Sequence, residues 1–140
     1  MERIHLSSGT PWEPKVGYSR AVRIGDRVLV TGTTATLPGG GHVAADDIEG
    51  QTRQTLANIG RALEGLGASF ADVVRTRIYV VDVMDRFETV GRVHGEVFGE
   101  IRPCTTMVGV PALVVPWMQV EIEAEAVIGA PPPQFISLDG

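Results

Sequence analysis

The chain has 140 residues, 44% apolar and 21% charged, an ordinary globular balance and enough length for one domain with a buried core. Its net charge is −5 and its 12 basic residues are scattered, which argues against the clustered cationic surface that nucleic acid or an anionic membrane demands and makes RNA cleavage the weakest functional reading. No apolar run approaches the ~20 residues of a bilayer span, Met1-Glu2-Arg3-Ile4-His5 lacks a signal peptide's apolar core, and the single Cys104 excludes an internal disulfide, so a cytoplasmic location is expected.

Val22–Ile24, a Gly25-Asp26 turn and Arg27–Gly32 predict two short strands of a hairpin. Leu37–Gly41, with three consecutive glycines, predicts a loop. Asp46 and Glu49 resemble a capping box. After it, Ile48, Thr52, Thr55, Leu56, Ile59, Ala62, Leu63 and Leu66 recur at helical spacing, and Gly65 and Gly67 close the helix. Gln51, Arg53, Gln54, Asn58, Arg61 and Glu64 fall on its outward face.

Ser69 and Asp72 predict a short turn before a strand over Val73–Val81. Val74, Thr76, Ile78 and Val80 share one face of that strand, with Arg75, Arg77 and Tyr79 on the other. A second helix over about Met84–Gly99 is expected to bury Phe87, Val90, Val93, Val97 and Phe98. Two strands follow, about Thr105–Val110 and Met118–Ile128, around a Pro111–Pro116 loop. In the last strand Val120, Ile122, Ala124 and Ala126 alternate with Glu121, Glu123 and Glu125.

Strand, strand, strand, helix, strand, helix, strand, strand is an α+β order, with two helices on one face of a mixed sheet. The other face keeps apolar residues among its charges, and self-association with closed symmetry is the economical way to cover them. The expectation is one domain over residues 1–140, with a core at about 17–128 and a Pro-rich tail at 129–140.

Val30-Thr31-Gly32, Gln51 to Ile59, Asp72 to Thr76, Arg102 to Thr106 and Val120 to Ala124 resemble the RidA family, also called YjgF/YER057c/UK114. The resemblance implies a chorismate-mutase-like fold and a homotrimer with an inner barrel. It also implies three inter-subunit clefts for a small molecule, with no metal or cofactor. Active members hydrolyse 2-imino or enamine acids to 2-keto acids and ammonia. In them an arginine after a Pro-Ala pair clamps the substrate carboxylate. Pro103-Cys104 matches that pair, so Thr105 stands at the arginine's position, and a hydroxyl does not replace a charged bidentate fork. Tyr18, Gly32 and Glu121 match the family's tyrosine, glycine and water-orienting glutamate, whereas Gly91 and Met107 replace an asparagine and a cysteine. This pattern resembles the branch that lacks the arginine, with weak or no turnover of simple 2-imino acids.

Each candidate has a structural alternative. Glu121 is a base in an apolar cleft, or an outward carboxylate on an edge strand paired with a neighbouring subunit's arginine. Tyr18 donates to the ligand or packs at the subunit seam. Thr31 is a ligand-binding candidate, and Thr105 and Thr106 offer hydroxyls to a neutral ligand group or are simply β-branched strand residues. His94 is an acid–base group or a boundary histidine. Trp117 walls the ligand or caps the barrel. Cys104, without a base nearby in sequence, is expected to pack beside the cleft. Arg102 reaches into the cleft or stays solvated. His5, His42 and His94 share no metal-ligand spacing.

Overall fold

The structure is a computed structural model describing residues 1–140. Its elements run β1 (Arg3–Leu6), α1 (Trp12–Val16), β2 (Ala21–Ile24), β3 (Arg27–Thr33), α2 (Ile48–Gly65), a 3₁₀ turn (Phe70–Asp72), β4 (Val73–Val81), α3 (Val83–Phe98), β5 (Cys104–Val110) and β6 (Val120–Val127). They form one six-stranded mixed sheet of order β1-β2-β3-β6-β4-β5. Only β4 and β5 pair in parallel, and α3 supplies the crossover that a parallel pair requires. α2 and α3 lie together on one face of the sheet, as the α+β order anticipates.

A cluster of 19 buried apolar residues fills the space between helices and sheet. Leu56, Ile59 and Leu63 of α2, Val90, Val93 and Phe98 of α3, and Val120 and Ile122 of β6 are its centre. Each such full burial contributes roughly 1.5–3 kcal/mol, which is why the two helices cover this face. The far side of β6 carries Glu121, Glu123 and Glu125, all less buried than their neighbours. The open face around them also presents Leu29 of β3 and Val108 of β5, 42% and 43% exposed.

Several expectations are corrected. The α2 cap is Asp47, whose carboxylate accepts from the Gly50 N–H at 2.8 Å, rather than Asp46 one residue earlier. Gln51 is wholly buried instead of outward. Its amide donates to the carbonyls of Val43, Ala44 and Trp117 at 3.2, 3.3 and 2.7 Å, and its oxygen accepts from the Gln119 N–H at 3.0 Å. Val73 rather than Val74 is buried, because a register shift between Val73 and Arg75 turns the strand's first residues over. Phe87, placed in the core by its spacing, is 46% exposed. β6 is also an interior strand between β3 and β4, so Glu121 does not stand on an edge. The tail beyond Gly129 has no regular structure, although the Phe135 ring lies 4.8 Å from the Arg102 guanidinium.

Candidate functional site

Glu121 lies on the open face of β6, level with Tyr79 of β4. The β3–β6 pairing is irregular between Val30 and Thr33, and within that interval Gly32 makes room for the Glu121 side chain. A Cβ on Gly32 would stand 2.9 Å from Glu121 Cδ and 3.0 Å from its Oε1, closer than any side chain tolerates without moving. Of the three carboxylates on this face, Glu123 accepts from the Tyr79 hydroxyl at 2.7 Å and Glu125 from Arg77 at 3.2 Å. Glu121 has neither partner. Burial, followed by the Glu123 charge, pushes its carboxyl above the usual range, and Arg20 pulls it part of the way back.

Tyr18 and Thr31 adjoin this group. Both line a shallow groove of about 320 Å³, with Val22, Leu29, Arg75 and Glu123 among its other walls. Arg20 enters here although nothing in its spacing singles it out. Its Nη1 donates to the Gly32 carbonyl at 2.8 Å and to Thr33 Oγ1 at 3.3 Å, its Nε donates to Ser8 Oγ at 3.3 Å, and its guanidinium lies 5.7 Å from the Tyr18 ring centre. Gly32 is thus held between a carboxyl over its α-carbon and a guanidinium on its carbonyl.

A second group forms at the β5 edge. Thr105 Oγ1 lies 2.8 Å from Thr76 Oγ1, which in turn lies 2.9 Å from His94 Nε2. Thr76 is fully buried, whereas Thr105 is exposed. Burial alone pushes the His94 imidazole below its ordinary value, so the array is uncharged near neutrality. Gly91, one turn before His94 on α3, has open space where a side chain would stand. Met107 packs against the core cluster. Thr76 is another residue its strand pattern does not single out, since a buried strand threonine needs no function.

The two groups do not meet within one chain. Thr105 pairs beside Thr76, which faces the helices, while Glu121 stands on the opposite face. Strand spacing and rise put the two α-carbons about 14 Å apart, across β4. The remaining candidates stand apart from both groups. The Trp117 ring stacks on His42 at 4.1 Å and 2° between planes. Cys104 is exposed on the open face rather than packed. Arg102, with φ of 53°, donates from Nε to the Gly99 carbonyl at 3.1 Å. No cluster of His, Cys, Asp and Glu side chains is arranged to hold a metal ion, and no helix is long and apolar enough to cross a membrane.

The fold and these positions define a small α+β chain of the chorismate-mutase-like type. The family model described as Endoribonuclease L-PSP matches residues 10–128. An uncharacterised Streptomyces coelicolor protein is 37% identical over 125 residues, 89% of this chain and 92% of that one. The human 2-iminobutanoate/2-iminopropanoate deaminase is 30% identical over 112 residues, 80% of each chain. A Mycobacterium tuberculosis crystal structure, described as a YjgF/YER057c/UK114 member, superposes with a TM-score of 0.82 at 52% identity, covering 91% of this chain and all of that one. The chain belongs to the RidA (YjgF/YER057c/UK114) family.

Proposed function

We propose that three copies of the chain close their open sheet faces into a barrel, and that a small organic molecule binds in the clefts between them. The observation that carries this is the split of the site. One half, Tyr18, Thr31, Gly32 and Glu121, sits on the open face, and the other, Thr105, His94, Gly91 and Met107, sits at the β5 edge. Only a second copy brings such halves together. The part-apolar open face gives the reason to associate.

Within the cleft, Glu121 has the character of a base. It is free of hydrogen-bonded partners in its own chain, and desolvation by burial holds it above the usual carboxylate range. In hydrolysis of an imine, or of an enamine once it has tautomerised to the imine, it would orient a water molecule, take its proton as the oxygen adds to carbon and pass that proton to the nitrogen. Collapse of the resulting carbinolamine releases ammonia and leaves a carbonyl. The human relative's name, an imine deaminase, supports this class. Thr105 offers no cation to a carboxylate at the β5-edge end of the cleft, so a simple 2-imino acid is not clamped there and its turnover is weak or absent. The closed Thr105–Thr76–His94 array favours a second reading, a binding or sensing protein without turnover.

The test is deamination of enzymatically generated 2-iminobutanoate, followed as ammonia release against spontaneous hydrolysis. The expected gain over background is small and is lost in Glu121→Gln. Rapid turnover overturns the assignment of weak activity, and activity untouched by Glu121→Gln removes the base. A metabolite that co-purifies in the cleft and never changes chemically supports the binder.

A further inference from the structure

Resting on the cleft proposed above, we propose that Arg20 is its anion-recognition residue: the acidic group of the ligand is held at the Arg20 side, and the uncharged end lies toward Thr105. The guanidinium is fixed before any ligand arrives. Nη1 and Nε are committed to Gly32, Thr33 and Ser8, which sets the plane of the fork. The Nη2 donors have no partner in the chain, and Arg20 joins none of the ion pairs that occupy Arg53, Arg77 and Arg92. A guanidinium pinned on one side and open on the other suits a carboxylate, because little side-chain freedom is lost on binding.

Its surroundings single it out from the chain's other arginines. Arg20 is the positive charge that bears on the Glu121 carboxyl, and it shares the Gly32 peptide with that carboxyl. The β5-edge half is neutral by contrast: two hydroxyls, one imidazole and the vacant space at Gly91. Arg102, the nearest cation in sequence to Thr105, is turned to the Gly99 carbonyl and lies beside the Phe135 ring. A ligand with one acidic group is therefore oriented, acid toward Arg20. The class is a small monocarboxylate with an uncharged, hydrogen-bonding remainder.

The test compares 2-oxobutanoate with the neutral 2-oxobutanamide by calorimetry at pH 7, with light scattering on the same samples. The wild type is expected to prefer the anion by roughly tenfold to a hundredfold. Arg20→Gln is expected to abolish that preference, Arg20→Lys to keep part of it, and Glu121→Gln to strengthen it by removing a like charge. Equal affinity for the two probes, an unchanged preference in a folded Arg20→Gln, or no binding of the anion overturns the proposal. A trimer that shows no anion preference sinks the Arg20 assignment alone, whereas a lone subunit sinks the cleft itself.

Discussion

Gln51→Leu removes the α2 side chain that hydrogen-bonds the segment entering β6. Leucine fills a similar volume, so the effect is one of hydrogen bonds rather than of a cavity. In the native chain Gln51 satisfies the Trp117 carbonyl at 2.7 Å and the Gln119 N–H at 3.0 Å, from a position with no solvent exposure. Each of those backbone groups, left buried without a partner, costs about 1–3 kcal/mol. The two longer bonds to Val43 and Ala44 add less. The expected loss is about 3 kcal/mol, or about 10 °C in melting temperature for a chain of this size. Urea unfolding followed by circular dichroism, at one fixed protein concentration, measures it. Thr55→Val is the internal control. The Thr55 hydroxyl is buried with no partner, so replacing it with a methyl is expected to be neutral or stabilising. A Gln51→Leu loss below ~1 kcal/mol, or a Thr55→Val loss of similar size to that of Gln51→Leu, would refute the reasoning.

Glu13 is held at a pKa of about 2: burial pushes it up, but hydrogen bonds from Ser8, Thr10 and Ser7 outweigh that. Because the folded value lies below the unfolded 4.5, its stabilisation, on the order of 3 kcal/mol, is complete above pH ~5 and lost as pH falls toward 2. Glu13→Gln should flatten that acid limb in chemical unfolding at stepped pH. Glu121 has the opposite sign. Its folded pKa is raised, so ionisation weakens the fold as pH rises past the unfolded value near 4.5, and Glu121→Gln should stabilise the protein at pH 7 but not at pH 4. A stability gain equal at both pH values would contradict the desolvated carboxyl. Thr105→Arg, on an exposed edge-strand position, should leave stability within ~1 kcal/mol and raise deamination of 2-iminobutanoate at least tenfold. No rise would mean that position 105 does not face the substrate.

Much of the architecture was legible because it is periodic. The alternation from Val120 to Ala126 and the helical spacing from Ile48 to Leu66 each report burial on one face, and the structure buries those faces. Two of the misreadings occur where periodicity is interrupted or where a polar residue goes inside. The register shift at the start of β4 reverses Val73 and Val74, and no local signal announces it. Gln51 looks like a surface residue until Trp117 and Gln119, 66 and 68 positions away, arrive to use its amide.

The candidate site divides in the same way. Gly32 and Glu121 are singled out by the resemblance, and the structure places the Glu121 side chain over the Gly32 α-carbon. Arg20 and Thr76 were missed because their importance lies in contacts across strands, to Gly32, Thr105 and His94. The separation of Glu121 from Thr105 follows from strand order, which periodicity alone does not supply.

Multi-angle light scattering of the purified protein at micromolar concentration tests the proposed assembly most directly. A particle of about 45 kDa, three times the 15.0-kDa chain, is the predicted result. A stable species at the mass of one chain would leave the two half-sites permanently apart and contradict the account.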